Sequence, residues 1–286
     1  MSDPKLSTYV PEKYWEGLLQ KHFDLKGVGY PNLSIAFNQC LYRAMQNSMD
    51  RGLKRLRHSR QTLSRSSVLD AGCGTGFWID FWKAKGVKEI VGMDLTHASI
   101  SHLSKRYPKL NFERRDISKP IDTRWVHAFD IISAMSILHH IPSQDEWRQA
   151  LLNLGRMLKP GGYLVIMDPI LKYRWWGKPF ASDSTGRPRT LSEHLTILGE
   201  TGVTLHSLIP TVVILANPVD TKGKLEFRFL ERWWSFLYQV ASRERWMRNT
   251  SWLFYSLDRL FFRLNYMPTS KIMFCQKSPL TGEMGS

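Results

Sequence analysis

Short apolar runs alternate with amphipathic stretches between residues 66 and 168. The runs 66–70 (SSVLD), 89–93 (EIVGM), 110–115, 129–134 (FDIISA) and 163–167 (YLVIM) predict buried strands. The stretches 76–85, 97–107 and 144–158 have helical spacing, and Pro160-Gly161-Gly162 is expected to stop the last of them. Strict alternation predicts an α/β fold with a mainly parallel, doubly wound sheet covered by helices on both faces.

Beyond residue 168 the same alternation continues and is then interrupted. A helix is predicted over 191–200, a β-branched stretch covers 203–216, and 270–276 (SKIMFCQ) predicts a last strand. About fifty residues of helical character precede that strand. We therefore expect a helical cap with a basic helix over 1–65, a core over 66–216, a helical lid insertion over 217–268, the last core strand over 269–277 and a flexible tail over 278–286.

The composition of the 286 residues is that of a globular chain, with 43% hydrophobic and 23% charged residues. Three widely spaced cysteines argue against a disulfide framework or a paired-cysteine zinc site, and they favour a reducing, cytoplasmic location. Neither a run of about 20 apolar residues nor the apolar core of a signal peptide is found. The net charge of +15 suggests acidic partners, with solubility as the alternative.

A glycine-rich turn follows the first strand in VLDAGCGTG (68–76). Glycines there let the backbone turn tightly and approach a ligand, and the helix that follows offers free N–H groups. Asp94 ends the next strand, where a carboxylate accepts hydrogen bonds from ribose hydroxyls. The glycines alone would also suit NAD. The position of Asp70, the glycine spacing and Asp116 at the end of the third strand, where it could accept from an adenine amino group, argue against NAD.

Five segments together resemble the class I S-adenosylmethionine-dependent methyltransferases. They are VLDAGCGTG (68–76), IVGMDLT (90–96), FERRDI (112–117), FDIISAMSILHHI (129–141) and LKPGGYLVIMD (158–168). The resemblance implies a seven-stranded Rossmann-like sheet with its last strand antiparallel. It also implies S-adenosyl-L-methionine as cofactor, S-adenosyl-L-homocysteine as product and no metal.

The resemblance further implies roles for individual residues. The methionine part of the cofactor would be held by Asp70, Gly72, Cys73 and Gly74, with Ser133 and Ala134 beside it. The ribose would be held by Asp94, with Leu95 against the adenine, and the adenine amino group by Asp116, with Ile117 next to it. Asp70 could instead be a turn or capping residue, and Cys73 is interpreted as a packing residue.

Methyl transfer to a protonated acceptor calls for a base, and two histidines follow the fourth strand. Histidine accepts a proton near neutral pH, so we interpret His139 as the candidate base. His139 is favoured over His140 because the first position of this pair often faces the substrate in related methyltransferases. Packing or capping is the alternative for both. Asp168 would orient the acceptor or a histidine. His194 is a weaker candidate, expected on the surface.

The acceptor is expected to be a small molecule or a short peptide, partly apolar and of natural-product type, methylated at oxygen. Methylation at nitrogen or carbon is one alternative, and a lipid or quinone acceptor methylated at a membrane surface is another. The place after the fourth strand reads SAMS, which lacks the motif of enzymes that methylate nucleobase amines. Nucleic acid is not expected as a partner, because no recognition module accompanies the basic stretch 43–65, interpreted first as a solvated helix face.

Aromatic and basic residues outside the core provide candidates for cofactor closure and acceptor binding. Tyr14, Trp15 and Tyr30 are candidates for the aromatic that closes over the cofactor, with Tyr14 taken as the cofactor contact and ordinary helix packing as the alternative for each. Acceptor contacts are assigned to four side chains: Tyr30, Arg43, Trp175 and Trp233. The aromatic-rich insertion is interpreted as a lid, with a homodimer interface or a peripheral membrane contact as alternatives.

Overall fold

One seven-stranded sheet organises the fold, and its strands follow in the order β3 (Asn111–Arg114), β2 (Glu89–Asp94), β1 (Ser67–Ala71), β4 (Phe129–Met135), β5 (Leu158–Asp168), β9 (Lys271–Lys277) and β8 (Val203–Pro210). The structure, a computed structural model, describes residues 9–56, 60–173, 176 and 186–279. Strand β9 pairs antiparallel with both β5 and β8, whereas the other pairs in the sheet are parallel. The predicted doubly wound sheet and its antiparallel last strand are thereby confirmed.

The helices and strands have the following bounds. The strands are β1 (Ser67–Ala71), β2 (Glu89–Asp94), β3 (Asn111–Arg114), β4 (Phe129–Met135), β5 (Leu158–Asp168), β6 (Ile170–Leu171), β7 (Arg189–Thr190), β8 (Val203–Pro210) and β9 (Lys271–Lys277). The helices are α1 (Pro11–Lys21), α2 (Leu25–Val28), α3 (Ile35–Arg55), α4 (Arg60–Ser64), α5 (Phe77–Ala84), α6 (His97–Arg106), α7 (Gln144–Met157), α8 (Leu191–Gly199), α9 (Lys224–Ala241) and α10 (Glu244–Phe262).

Helices cover the sheet on both faces. Helices α7 and α8 bury Trp147, Leu151 and Leu198 against one face. Helices α3, α5 and α6 bury their apolar side chains, such as Trp82, against the other. Apolar burial of this extent stabilises the three layers, because each large side chain removed from water contributes about 1.5–3 kcal/mol.

One predicted boundary is wrong. Leu158 has the extended dihedrals of a strand and pairs with Phe129, so the strand begins there and includes the Pro-Gly-Gly segment instead of following it. Strand β8 ends at Pro210, and the β-branched stretch that follows it packs as irregular chain against the insertion.

The insertion between β8 and β9 forms α9 and α10, as expected, but these helices pack against α3. Met247 and Phe254 of α10 and Leu237 of α9 share a buried cluster with Phe37 and Leu41 of α3. The guanidinium of Arg43 lies 4.9 Å from the ring centre of Tyr255 and strengthens this contact.

Buried ion pairs fix both ends of the insertion. At its start, Asp220 accepts hydrogen bonds from the backbone N–H groups of Lys172 and Tyr173 and lies 2.8 Å from the Nζ of Lys271. Near its end, Asp258 accepts from the N–H groups of Val213 and Ile214 and pairs with Arg259.

Candidate functional site

A cavity opens at the carboxyl edge of the sheet, where β1 lies between β2 and β4. It encloses about 980 Å³ of empty space, including its open mouth. The strand order reverses at this point, so the loops after β1 and β4 diverge and leave a crevice, which is where open α/β sheets bind ligands. Seven of the residues predicted to hold the cofactor line this cavity: Gly72, Cys73, Gly74, Asp94, Leu95, Asp116 and Ile117.

The glycine turn between β1 and α5 forms the floor of the cavity. The backbone N–H groups of Gly72 and Cys73 both donate to the carbonyl of Met93, which draws the turn against β2. Gly74 has a φ of 51°, and a Cβ there would lie 2.9 Å from Val28, so only glycine suits the position. Cys73 is buried, and burial raises the pKa of its thiol well above the usual value, which agrees with a packing role.

Asp94 connects the glycine turn to the start of α6. Its Oδ2 accepts from the N–H of Gly74 at 2.8 Å, and its Oδ1 accepts from the N–H and hydroxyl of Thr96 at 2.9 and 2.7 Å. Burial raises the pKa of this carboxyl, while the three donors oppose the rise. Each oxygen retains accepting capacity, so the carboxylate can bind vicinal hydroxyls in the cavity.

Asp116 lies across the cavity from the glycine turn. Its Oδ1 accepts from the N–H and hydroxyl of Ser118 at 2.8 and 2.7 Å, which fixes the turn after β3. The carboxylate lines the cavity together with Ile117 and Leu95. This end of the cavity therefore offers a hydrogen-bond acceptor for an exocyclic amino group and two aliphatic side chains for a flat apolar ring.

Three predicted cofactor residues lie beneath the cavity and do not line it. Asp70 and Ser133 are fully buried partners on β1 and β4, and the Ser133 hydroxyl donates to Asp70 Oδ1 at 2.9 Å. Ala134 is fully buried beside them. Because β4 extends to Met135, the residues that reach the cavity are Met135, Ser136 and Ile137.

Asp70 has a buried oxygen with no hydrogen-bond partner among the described residues. That atom is Oδ2, and burial raises the pKa of the carboxyl to about 7. A cofactor with a positively charged amino group in the crevice would compensate such a carboxylate, directly or through water. Three features of the site fit S-adenosylmethionine: the unpartnered Oδ2 of Asp70, the close approach of the backbone at Gly74 and the carboxylate of Asp94.

We expect Asp70→Asn to stabilise the cofactor-free protein increasingly as pH rises. The folded-state pKa of Asp70 lies above its unfolded value, so its contribution to folding is present at low pH and lost between about pH 4 and pH 7. Asparagine does not ionise. The difference in unfolding free energy between variant and wild type should therefore grow by roughly 2–4 kcal/mol from pH 4 to pH 8. Urea unfolding at both pH values measures it, and an equal difference at the two would contradict it.

A strained turn carries the chain from β4 into the cavity. Ser136 has a φ of 60°, and its N–H donates to the carbonyl of Met167 at 2.6 Å. A left-handed backbone at a residue other than glycine is uncommon and is found at functional sites more often than elsewhere. The turn places Ser136 and Ile137 on the cavity wall.

His139 and Asp168 are brought together, whereas His140 is the histidine that lines the cavity. The Nδ1 of His139 lies 2.7 Å from Asp168 Oδ1, and the two imidazole ring centres of His139 and His140 are 3.8 Å apart. Burial lowers the pKa of His139 to about 3 and raises that of Asp168 to about 7. Asp168 therefore holds the imidazole of His139 in place, and the ring of His140 packs on it.

Arg189 fixes the chain that follows this histidine pair. Its guanidinium donates to the carbonyl of Ile141 at 2.7 Å and to Gln144 at 3.1 Å, and it lies over the ring of Trp147. The expectation that His194 lies on the surface is wrong. The side chain is buried against Trp147, and its Nδ1–H donates to the carbonyl of Thr190, the residue that precedes α8.

Helix α1 covers the cofactor end of the cavity, with Trp15 as the lining aromatic. Trp15 stands edge-on to His140 at 4.7 Å, whereas the predicted Tyr14 is 40% exposed and packs against Trp15 from outside. The carboxylate of Glu16 accepts from the N–H groups of His97 and Ala98 at the start of α6. Helix α1 is thereby attached directly above Asp94.

The predicted acceptor-binding residues that the structure describes do not line the cavity. The Tyr30 hydroxyl donates to Asn217, the Trp233 indole donates to the carbonyl of Ile214, and Arg43 stacks on Tyr255. Arg43 joins α3 to the insertion, Tyr30 joins the segment before α3 to the start of the insertion, and Trp233 joins α9 to the chain that follows β8. Trp175 lies outside the described residues.

The apolar wall of the cavity is formed by residues that were not predicted as site residues from the sequence. It consists of Leu19, Val28, Tyr42, Phe77 and Trp78, together with the β4 turn. Phe77 and Trp78 directly follow Gly76, so their position after the turn was the one signal that could have identified them. None of the cavity-lining residues in the described chain belongs to the insertion, so the predicted lid role has no support in these contacts.

Two kinds of feature, a membrane-spanning helix and a metal-binding group of side chains, are absent from the described residues. No helix among the described residues is long and apolar enough to cross a membrane. Within the same ranges, no three His, Cys, Asp or Glu side chains are grouped so that they could hold a metal ion.

The chain matches a family of known proteins. The sequence profile of the family described as "Methyltransferase domain" matches residues 41–205, more than half of the chain. The ubiquinone biosynthesis O-methyltransferase of Coxiella burnetii is 31% identical over 116 residues, 38% of this chain and 47% of that protein. A dTDP-3-amino-3,4,6-trideoxy-alpha-D-glucopyranose N,N-dimethyltransferase of Streptomyces venezuelae is 27% identical over 117 residues, 41% and 45% of the two chains. The chain thus spans less than half the length of these curated relatives.

A solved structure supports the same fold. The O-methyltransferase from a trans-AT PKS multienzyme of Brevibacillus brevis, in complex with S-adenosyl-L-homocysteine, superimposes with a TM-score of 0.51. The match covers 84% of this chain and 73% of that one, at 15% sequence identity.

Proposed function

Because this chain belongs to the methyltransferase-domain family, we propose that it is an S-adenosylmethionine-dependent methyltransferase that methylates a small or medium-sized, partly apolar acceptor at oxygen. The observation that carries this proposal is the composition of the cavity. Its cofactor end carries Asp94 and Asp116, and most of the other lining side chains are aliphatic or aromatic, with Thr75, Arg115, Ser136 and His140 as the polar ones. Such a wall binds an apolar skeleton and leaves few polar groups to orient it.

The proposed roles of the chain's own residues follow from their contacts. When bound, S-adenosylmethionine supplies a methyl group already activated on a sulfonium, so the protein needs chiefly to position and desolvate the acceptor. Asp94, Asp116 and the glycine turn would hold the cofactor, with Asp70 compensating its charge from below. Trp15, Leu19 and Val28 would exclude water from above.

A hydroxyl acceptor must lose its proton, and we propose His140 as the group that receives it. His140 lines the cavity, whereas His139 is bound to Asp168 behind it. In this proposal, His139 and Asp168 act as positioning residues. Asp168 holds the ring of His139, and the ring of His140 packs on that ring. Arg189 supports the same segment through the carbonyl of Ile141.

We expect His140→Ala to lower kcat by about 10²–10⁴ at unchanged cofactor affinity, as removal of a general base does. His139→Ala should lower kcat by no more than about tenfold, because the base itself remains. Release of S-adenosylhomocysteine in a coupled assay, with a panel of phenols, aliphatic alcohols, carboxylic acids and amines, identifies the usable acceptor and then compares the variants. Calorimetry with S-adenosylhomocysteine is the control for binding.

A larger loss in His139→Ala than in His140→Ala would assign the base to His139 instead. If carboxylic acids are the acceptors, no proton needs removal, and both variants should stay within about tenfold of the wild type. Turnover with amines alone would favour the second candidate, an N-methyltransferase, for which the Streptomyces venezuelae relative is the supporting observation.

A further inference from the structure

Helix α9 presents an apolar stripe to solvent on the side opposite its buried face. Leu225, Phe229 and Phe236 follow at intervals of four and seven residues, which places them on one side of the helix. Their exposed fractions are 81%, 71% and 53%. The opposite side, with Leu230 and Leu237 buried, packs toward the protein.

Helix α10 and the residues after it continue this surface. Trp246 and Leu260 share one side of the helix, Leu264 lies in the turn that follows it, and the exposed fractions of the three side chains lie between 58% and 71%. Its buried side, including Met247 and Phe254, packs into the cluster on α3. Both helices therefore turn large apolar side chains away from the core, and we refer to these six residues (Leu225, Phe229, Phe236, Trp246, Leu260 and Leu264) as the outer face.

Exposed arginines accompany the outer face. Arg232 lies between Phe229 and Phe236 on the same side of α9, Arg228 lies beside Phe229, and Arg245 precedes Trp246. Four of the five acidic side chains in 217–268 are withdrawn from the surface, since Glu226 and Glu244 are half-buried and Asp220 and Asp258 are buried in ion pairs, whereas Glu231 is exposed on α9. The segment 217–268 carries nine Lys/Arg against five Asp/Glu, a net charge of +4, within a chain of net charge +15.

We propose that the outer face docks on the surface of a membrane that carries anionic lipids. Apolar and aromatic side chains would enter the boundary between headgroups and acyl chains, and the arginines would pair with lipid phosphates. A second copy of the chain fits less well, because a symmetric dimer through this face would bring arginines against arginines. This inference does not depend on which acceptor is methylated.

The proposal is tested with the full chain and vesicles of two compositions. We expect co-sedimentation with phosphatidylcholine vesicles containing 30% phosphatidylglycerol, little with pure phosphatidylcholine, and a marked fall at about 0.5 M salt. The double variant Phe229→Glu/Leu264→Glu should lose binding by at least about tenfold, and Arg228→Glu/Arg232→Glu should do the same. The charge-matched control Lys88→Glu/Lys109→Glu, at exposed sites near β2 and β3, should bind nearly as the wild type.

Calorimetric binding of S-adenosylhomocysteine by each variant separates loss of docking from loss of fold or of the proposed activity. Indifference of the wild type to both vesicles would overturn the proposal. So would a dimer in sedimentation equilibrium that Phe229→Glu/Leu264→Glu dissociates, since the outer face would then be occupied by a second copy. Equal loss of binding in the lysine control would also overturn it, because the attraction would then be general and not located on the outer face.

Discussion

Replacing Asp94 with alanine is expected to weaken the binding of S-adenosylhomocysteine by about 2–4 kcal/mol, or roughly 30- to 1000-fold in Kd. The variant lacks the carboxylate that would accept hydrogen bonds from the ligand. The N–H of Gly74 and both donors of Thr96 would lose their acceptor as well. The substitution therefore removes a ligand contact and loosens the two turns that shape the cavity.

Isothermal titration calorimetry measures this change, and circular dichroism checks that the variant is folded. Asp122→Ala is the matched control, because Asp122 also caps a turn but lies on the surface outside the cavity lining. The control should bind the ligand as the wild type does. A Kd for Asp94→Ala within threefold of the wild-type value would count against the proposed role of this carboxylate.

Asp220→Ala should lower the unfolding free energy by about 3–5 kcal/mol, the range found when one partner of a buried ion pair is removed. Lys271 has no exposed surface, and its ammonium lies 2.8 Å from the Asp220 carboxylate. The substitution leaves that charge unpaired and deprives the N–H groups of Lys172 and Tyr173 of their acceptor. Burial already lowers the pKa of Lys271, so the lysine is costly to keep charged there.

Urea unfolding provides the measurement, with Arg148→Ala as the comparison, since the exposed Arg148–Glu200 pair should contribute less than about 1 kcal/mol. The double variant Asp220→Ala/Lys271→Met should recover part of the loss, because it leaves no charge unpaired. A loss of less than about 1 kcal/mol in Asp220→Ala, or no recovery in the double variant, would show that the pair contributes little.

The sheet and one half of the cavity could be predicted from the sequence because both depend on local signals. Apolar runs identified the strands of the sheet. The glycine turn, Asp94 and Asp116 follow strand ends, and the alternation of strands and helices places those ends at the carboxyl edge of the sheet. The position of Leu158 could not be predicted in this way, since a leucine followed by Lys-Pro-Gly-Gly is as typical of a helix end as of a strand start. Pairing with Phe129 on β4, a tertiary contact, decided between them.

The apolar half of the cavity depends on contacts between distant parts of the chain. Whether Trp15 or Tyr14 faces the cavity is decided by how Glu16 attaches α1 to α6, and the spacing within α1 does not specify it. The order of His139 and His140 depends on the left-handed turn at Ser136. Tyr30, Arg43 and Trp233 were assigned by side-chain chemistry alone, and the same chemistry serves helix packing equally well.

The strand order also determines when each part of this protein can form during synthesis. The described cavity lining comes from residues 11–141, whereas β9, which joins β8 to the rest of the sheet, begins at Lys271, 130 residues later (271 − 141). An emerging chain therefore carries the whole described lining long before β8 has a neighbour to pair with. Insertion of β9 between two strands already made is a long-range closure and should be a slow step of folding. Until it occurs, the free edges of β5 and β8 remain open to mispairing with other chains.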